Sequence, residues 1–296
     1  MNNTTSLVRS RELPETINIH LTRTCNFGCR YCYAEFAECG SARIQPDHLR
    51  RIIEAISRAA PPPGGRSRKV NFAGGEPLLY AELPDILAFS KKIGLATSLV
   101  TNGSLLDERA IVRLSGILDI CAVSVDSGIV MTNDSIGRCG KGFRPDAEFY
   151  GVLARRIRDA GMRFKVNTVV NRLNLSENLG GVVASLLPFR WKLFQVKEVI
   201  GQNEQTFAEL AVSVAEFQDF VARNRIYVPP SVAVIPETAD DMTASYAMIA
   251  PNGCFFDSSR GCHHYSQSIL QAGIMEAFQE VAFDAEKFVK RGGSYA

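Results

Sequence analysis

The sequence lacks several features that would each define a class of protein. Its 33 basic and 31 acidic residues leave a net charge of only +2, so it has no bulk attraction to nucleic acid or to an anionic surface. No apolar run approaches the roughly 18 residues of a transmembrane span. The first six residues, MNNTTS, form no apolar core of a signal peptide. We therefore expect a soluble, cytoplasmic protein with no membrane or direct nucleic-acid partner.

Cysteine is also too scarce for a disulfide scaffold, with eight in 296 residues. A hydrophobic content of 46% and a charged content of 22% are ordinary for a globular protein. The length suits one large α/β domain or two smaller ones. Five cysteines are scattered and three lie together, which indicates a reducing compartment. The scattered ones are Cys39, Cys121, Cys139, Cys254 and Cys262.

The three clustered cysteines, Cys25, Cys29 and Cys32, form a C-x3-C-x2-C loop after an apolar run. Soft thiolates select iron–sulfur clusters, zinc or Cu(I). A structural zinc normally takes four ligands, whereas a cluster held by three cysteines leaves one iron open. That iron can be chelated by the amino and carboxylate groups of S-adenosylmethionine (SAM). The spacing is similar to the signature of the radical SAM superfamily. A zinc loop, or buried cysteines acting as small hydrophobes, is the alternative.

Strands and helices alternate from the N-terminus to about residue 225. Six βα units in a row predict a parallel sheet, which right-handed crossovers would curl into a partial (β/α)6 barrel. The predicted strands are Thr16–Thr22, Lys69–Phe72, Ala96–Thr101, Ile120–Val125, Phe164–Val170 and Lys192–Val196. We expect a polar tail over residues 1–13, the barrel over 14–225 and a C-terminal extension over 226–296. Beyond residue 226 we expect loops and two short helices that close over the site.

Polar and glycine-rich segments follow several predicted strands, where the chemistry of such barrels gathers. Gly74-Gly75-Glu76 suits a close backbone approach by a ligand, because glycine has no Cβ. If this segment is considered alone, a simple turn with Glu76 on the surface is a better interpretation than a ligand site. Asn102, Ser124 and Asp126 end the next two strands.

Two other segments resemble binding motifs only superficially. Residues 137–142, GRCGKG, lack the Ser or Thr and the spacing of a P-loop, so we interpret them as a flexible loop carrying Arg138. The pair His263-His264 beside Cys262 predicts a plain surface loop. A second cluster would need four thiolates, and the C-terminal part holds only Cys254 and Cys262.

Four basic residues fall on predicted inner strands, where an unpaired charge would be costly. They are Lys69, Lys165, Arg190 and Lys192. Solvated strand ends would explain any one of them. All four together, facing one barrel mouth, predict a polyanion site, most simply for a triphosphate.

The chain resembles the viperin family of radical SAM enzymes from about Thr16 to Tyr295. The segments that carry this resemblance are INIHLTRTCNFGCRYCY, KVNFAGGEPLL, LVTNGSLLDE, DICAVSVDS, SIGRCGKG, FKVNTVVNRLN, RWKLFQ, DMTASYAMI and FVKRGGSYA. Asn171-Arg172 and the Arg-Trp-Lys triplet discriminate better than the cysteine loop does.

The resemblance implies an activity. A reduced [4Fe–4S] cluster and SAM would yield a 5′-deoxyadenosyl radical that takes the 4′-hydrogen of a ribonucleoside triphosphate. One-electron reduction and loss of the 3′-hydroxyl as water would then give a 3′-deoxy-3′,4′-didehydro nucleotide, an antiviral chain terminator. CTP is the expected substrate, with UTP and GTP as alternatives. A flavodoxin or ferredoxin would supply electrons to a monomeric enzyme.

The resemblance also implies roles for particular residues. Cys25, Cys29 and Cys32 would hold the cluster. SAM would be bound by Tyr31, Gly74, Gly75, Glu76, Asn102, Ser124 and Arg138. The triphosphate and ribose would be bound by Lys69, Lys165, Asn167, Arg190, Lys192, Lys290 and Arg291. Tyr246 would approach the ribose as a catalytic residue, and residues 290–293 would fold over the phosphates.

Three departures from the family stand out. We expect neither the membrane-associating N-terminal helix of the vertebrate proteins nor their aromatic C-terminal tail in this protein, and Ala73 stands where relatives often have serine. Two other functions stay open. A different radical SAM enzyme, such as an activase or a peptide-modifying enzyme, is disfavoured by the basic barrel lining. A non-enzymatic zinc-loop module is disfavoured because only Cys39 lies nearby as a fourth ligand.

Overall fold

The computed structural model describes residues 12–62 and 65–294. Most of the predicted tail, residues 1–11, lies outside this range, as do Pro63 and Gly64 of the proline–glycine run and Tyr295. The first six strands are β1 Thr16–His20, β2 Lys69–Ala73, β3 Ala96–Thr101, β4 Ile120–Ser124, β5 Arg163–Val170 and β6 Arg190–Gln195. The six predicted strands are therefore confirmed, with ends that shift by one or two residues.

Helices cover the outer face of this sheet. The described helices are α1 Pro46–Arg58, α2 Leu83–Lys92, α3 Glu108–Leu114, α4 Val130–Ile136, α5 Ala147–Asp159, α6 Leu179–Leu186, α7 Glu204–Leu210 and α8 Val214–Arg225. The sequence analysis missed α4 and α7. The residues of α4, VMTNDSI, have low helix propensity, so tertiary contacts decide their conformation.

The chain beyond residue 226 adds four more strands to the same sheet. They are β7 Ala233–Glu237, β8 Ala247–Ile249, β9 Cys254–Asp257 and β10 His264–Ser268. Four short helices accompany them: α9 Ala239–Met242, α10 Ile269–Ala272, α11 Ile274–Gln279 and α12 Ala285–Lys290. The prediction that this part consists of loops and two short helices is therefore wrong. Its strands are only three to five residues long, too short to show a clear period.

The ten strands form one sheet in the order β10-β9-β8-β1-β2-β3-β4-β5-β6-β7. Neighbours from β1 to β7 pair in parallel, and β8 pairs in parallel with β1. The strands β8, β9 and β10 pair antiparallel. The extension thus lies beside both β1 and β6, the two edge strands among the six predicted ones.

Alternation along the inner strands separates the core from an internal cavity. Ile17 and Ile19 pack in the main hydrophobic cluster, whereas Thr16, Asn18 and His20 line the cavity. On the outer face, α1 buries its apolar stripe, which includes Ile52 and Ile56, against the sheet. No helix in the described ranges has the length and apolar character needed to cross a bilayer.

Candidate active site

One cavity of about 300 Å3 runs inside the curved sheet. Residues from β1 to β6, from the cysteine loop and from the C-terminal extension line it. Most of the residues predicted to bind the cluster, SAM and the triphosphate border this one space, although they come from distant parts of the chain. The lining members are Cys25, Cys29, Tyr31, Cys32, Gly74, Gly75, Asn102, Ser124, Arg138, Lys165, Asn167, Lys192, Tyr246 and Arg291.

The cysteine loop sits at the end of the cavity near the carboxyl ends of the strands. Cys25 is exposed, and Cys29 and Cys32 are half-buried. Burial raises the pKa of Cys29 to about 12 and that of Cys32 to about 11, so both stay protonated until a metal displaces their protons. In the described residues, no three His, Cys, Asp or Glu side chains converge as around a single metal ion. A cube of iron and sulfide needs no such convergence, because each thiolate holds a different iron.

Residues at the ends of α4 and α7 hold this loop in place. Asn203 donates from its side-chain amide to the carbonyl oxygen of Tyr31 at 2.9 Å, and the Thr206 hydroxyl donates to the carbonyl of Arg30. Arg30 also donates its backbone N–H to the carbonyl of Ile136 at 2.9 Å. Residues at the ends of α4 and α7 thus form hydrogen bonds with the segment between Cys29 and Cys32. Three soft ligands on a fixed loop that opens into a cavity fit a cluster with one accessible iron.

Gly74 and Gly75 are required by the protein's own backbone. A Cβ on Gly74, whose φ is +128°, would lie 2.5 Å from the carbonyl oxygen of Thr22. A Cβ on Gly75 would lie 2.2 Å from the carbonyl oxygen of Thr24. The Gly75 N–H donates to Thr22 at 2.6 Å, so the glycines seal the cysteine loop against β2. The segment before the cysteine loop therefore approaches these glycines closely, and their predicted contact with SAM stays a prediction, since both border the cavity.

Glu76 is fully buried, so the alternative of a surface glutamate is wrong. Its Oε1 accepts from the Thr101 hydroxyl at 2.7 Å and from the Leu78 N–H at 3.1 Å, and its Oε2 accepts from the Asn102 N–H at 2.8 Å. Burial raises its pKa, while these donors act in the opposite direction. Glu76 therefore fixes the turn that presents Asn102 to the cavity; its contact with SAM stays a prediction.

Arg138 belongs to a buried network. It follows the C-terminus of α4 and is only 7% exposed, so its side chain is held by its neighbours. The flexibility of residues 137–142 stays a prediction. The Arg138 guanidinium pairs with Asp126, to which the Tyr31 hydroxyl also donates. Asp126 accepts in addition from the Val169 N–H at 2.7 Å. Burial alone would lower the pKa of Arg138, but Asp126 outweighs it and raises the pKa. Asp126 therefore holds two residues that are predicted to contact SAM, Tyr31 and Arg138.

The four basic strand residues lie at the other end of the barrel. Lys69 and Arg190 are the first residues of β2 and β6, and Lys165 is the third residue of β5. The sequence analysis expected these residues at the same barrel mouth as the cysteine loop. They do not lie there, because the cysteine loop follows the carboxyl end of β1. Lys192 lies beside Asn167 in the register of β5 and β6. All four cations are at most 6% exposed, so solvated strand ends do not explain them. Burial, together with Arg190, lowers the pKa of Lys165 to about 7.

The C-terminal residues close this second end. Arg190 donates from its guanidinium to the carbonyl oxygen of Gly292 at 2.6 Å, and the Thr16 hydroxyl donates to that of Gly293 at 3.0 Å. Arg291 is 6% exposed and borders the cavity, whereas Lys290 is exposed and does not line it. Contact of this segment with phosphates stays a prediction.

Two histidines with buried side chains, His20 of β1 and His263 of the extension, pack on Phe36. The His263 side chain is 1% exposed and packs on Phe36 and Phe256, so the surface-loop interpretation is wrong. Its Nδ1 lies 3.0 Å from Glu38 Oε1. His20 borders the cavity, and burial, reinforced by His263, lowers its pKa to about 3. The sequence analysis assigned His20 no role, because nothing in its local sequence sets it apart.

The sequence analysis also missed Glu237, at the end of β7. This fully buried carboxylate contacts Lys192, Tyr246 and Arg291. It lies in the part of the chain that was expected to form loops, so no strand register placed it near the site. Asp126 stood at a predicted strand end, which was a signal that the sequence analysis noted without assigning a role.

The chain matches the Radical SAM superfamily over residues 19–170. It is 35% identical over 294 residues to an S-adenosylmethionine-dependent nucleotide dehydratase of Flammeovirga pacifica, and covers 98% of both chains. It is 36% identical over 283 residues to a protein of the same name from Lacinutrix mariniflava, with 95% of this chain covered. The chain spans 58% of that relative's length.

A solved structure shares the fold. Streptococcus suis SuiB bound to S-adenosylmethionine superimposes with a TM-score of 0.64 at 17% identity. The match covers 82% of this chain and 60% of SuiB.

Fold and site together define a radical SAM enzyme with a partial α/β barrel, whose cofactors are a [4Fe–4S] cluster and SAM. Within that superfamily, the chain belongs to the viperin-like S-adenosylmethionine-dependent nucleotide dehydratases. The resemblance inferred from the sequence is confirmed, and so is the expectation of an enzyme.

Proposed function

We propose that this enzyme dehydrates a ribonucleoside triphosphate to its 3′-deoxy-3′,4′-didehydro analogue. CTP is the substrate that we expect. The observation that carries the proposal is that the two ends of the barrel cavity carry different groups. Three cysteines border one end, and Lys165, Lys192 and Arg291 border the other. A ribose held between a phosphate site and a SAM site lies where its 4′-hydrogen can be removed.

The cysteine end has the chemistry that the cofactors need. Cys25, Cys29 and Cys32 would hold the cluster, and the fourth iron would face the cavity. Hydrogen-bond donors and acceptors border the cavity at this end. They are the amide of Asn102, the hydroxyl of Ser124 and the guanidinium of Arg138, which is a donor only. Glu76, which does not border the cavity, fixes the backbone of Asn102, and Asp126, which does border it, holds Arg138.

The opposite end suits a polyanion. Lys165, Lys192 and Arg291 border the cavity, and Lys69 and Arg190 lie buried at the start of neighbouring strands. Charge-assisted contacts to phosphate are about twice as strong as neutral hydrogen bonds. The buried Asn167 borders the cavity two residues after Lys165 on β5, where it can contact the nucleotide.

When bound, the cluster and SAM would supply a 5′-deoxyadenosyl radical to remove the 4′-hydrogen. One electron from the reductant and one proton would then complete the departure of the 3′-hydroxyl as water. The chain's own residues bind, orient and exclude water. Arg291 covers the ring of Tyr246 at 3.5 Å, which holds the tyrosine against the cavity. The C-terminal carbonyls bound to Thr16 and Arg190 exclude water from the phosphate end. We further propose that the enzyme works as a monomer, with a flavodoxin or ferredoxin as electron donor.

The test is to incubate the reduced, cluster-loaded enzyme with SAM and CTP, UTP, GTP or ATP in separate reactions. We expect one triphosphate, CTP, to stimulate 5′-deoxyadenosine formation and to lose the mass of one water. CMP should stimulate much less, because it lacks the phosphates that the distant cations would bind. Equal stimulation by CMP and CTP, or none by any nucleotide, would contradict the proposal.

A further inference from the structure

Glu237 joins three predicted substrate residues at one buried carboxylate. One oxygen contacts the Lys192 ammonium and lies 3.9 Å from Arg291 Nη1. The other accepts the Tyr246 hydroxyl proton at 2.5 Å. Lys192 also donates to the Tyr246 oxygen at 3.1 Å. The three partners come from β6, from the segment before β8 and from the end of α12.

Its place behind the cavity wall limits what Glu237 can do. Lys192, Tyr246 and Arg291 border the cavity, but Glu237 does not and is 0% exposed. It therefore acts on a ligand only through these partners or through its charge. A carboxylate so close to a phosphate site repels a triphosphate and competes for Lys192. Affinity alone would be better served by a neutral residue.

The carboxylate does fix the direction of the Tyr246 hydroxyl. That hydroxyl has one proton to donate, and Glu237 accepts it while Lys192 donates to the same oxygen. Burial raises the pKa of Tyr246, so the hydroxyl stays protonated. The phenol oxygen is left as an acceptor for a ribose hydroxyl, and the ring is held against Arg291.

We propose that Glu237 is a positioning residue that orients Tyr246 and Lys192 for turnover and weakens triphosphate binding by its charge. This inference rests on the proposed triphosphate substrate. A merely structural ion pair predicts a different result, because its loss would loosen the site and weaken binding and turnover together.

The test compares Glu237→Gln with the wild type and with a matched control, Glu108→Gln, which breaks an exposed ion pair with Arg156. The cluster-loaded enzymes are saturated with SAM. The dissociation constant of CTP is measured by equilibrium dialysis without reductant, and kcat is measured from CTP-dependent 5′-deoxyadenosine formation.

For Glu237→Gln we expect CTP to bind tighter, by about threefold or more, because one nearby negative charge is gone. We expect kcat to fall roughly ten- to a hundredfold, because Tyr246 and Lys192 lose their fixed geometry. The control should change neither quantity. These opposite signs support the proposal, and weaker or unchanged CTP binding, or an unchanged kcat, overturns it.

A second variant, Glu237→Asp, tests the proposal if Glu237→Gln does not load its cluster. Glu237→Asp keeps the charge but shortens the side chain, so kcat should fall while the dissociation constant stays within about twofold of the wild type. An unchanged kcat in this variant overturns the proposal. If the wild type turns over CTP and only these expectations fail, the triphosphate activity stands without this role. If the wild type binds no triphosphate, both proposals fail.

Discussion

The two ends of the cavity are built in different ways. At the cysteine end, the ligands come from eight consecutive residues, and the cysteine loop is sealed against β2 by backbone hydrogen bonds from Gly75 and Glu76 to Thr22 and Thr24. At the phosphate end, side chains meet across long sequence separations, as in the hydrogen bond between Thr16 and Gly293 and the ion pair between Lys192 and Glu237. The first end is specified locally and the second by the topology of the sheet.

This difference predicts how each end fails. A change in the cysteine loop or in the glycines behind it should remove the cofactor and with it all activity. A change at the phosphate end should leave the cofactor in place and alter only the use of the nucleotide. The following predictions are ordered from the largest expected effect to the smallest.

Replacing Cys25, Cys29 or Cys32 by Ala should abolish both the cluster and SAM cleavage, since each thiolate holds one iron. Iron and sulfide analysis after anaerobic reconstitution, with the visible absorbance of the protein, measures this. Cys254→Ala and Cys262→Ala are the controls and should retain a full cluster. A Cys32→Ala protein that keeps four irons and cleaves SAM would refute the assignment.

Gly75→Ala should strongly impair cluster loading although no ligand is removed. The added Cβ would lie 2.2 Å from the Thr24 carbonyl oxygen, so the cysteine loop must move. The matched control is Gly151→Ala, inside α5, where the added Cβ meets nothing within 4 Å. That control should stabilise the protein by about 1 kcal/mol. Normal iron content in Gly75→Ala would show that the glycine does not seal the loop.

Lys165→Met should leave the cluster and basal SAM cleavage intact and raise the KM for the triphosphate. A charge-assisted hydrogen bond contributes about 1.5–3 kcal/mol, which corresponds to roughly ten- to a hundredfold in affinity. Lys290→Met serves as the control, because Lys290 is exposed and does not line the cavity; it should change KM less than about twofold. Equal effects of the two variants would mean that the polyanion site is misplaced.

The pKa of Lys165, about 7, also predicts a pH dependence. Above pH 7 this lysine is increasingly neutral in the free enzyme, so binding a triphosphate takes up a proton. The affinity for CTP should therefore fall between pH 7 and 9, by at most about tenfold per pH unit. Lys165→Met should show a flatter profile in the same binding assay. Parallel profiles for the two proteins would remove Lys165 from the phosphate contacts.

The sequence predicted the two ends unequally. The six inner strands and the cysteine ligands follow from periodicity and spacing within short windows. The meeting of Lys192 with Glu237, or of Arg190 with Gly292, depends on strand order, which no local pattern contains. The strands from β7 to β10 were missed because they are too short to show a clear period, and the buried positions of Glu237 and His263 were missed with them.

Glu76 and Arg138 show a second limit. Their motifs suggested direct ligand contacts, but the structure gives Glu76 three donors from the chain itself and pairs Arg138 with Asp126. A residue type at a given spacing indicates which chemistry is possible. Only packing decides whether its polar atoms face a ligand or hold a neighbour in place.

The central claim is that one cavity holds the ribose between a SAM site at the cysteine end and a phosphate site at the opposite end. The most direct measurement is to supply CTP with deuterium at the 4′ position and to determine the isotope content of the 5′-deoxyadenosine formed. We predict that one deuterium is transferred in each productive turnover. Formation of 5′-deoxyadenosine without deuterium, while the nucleotide is consumed, would contradict the claim.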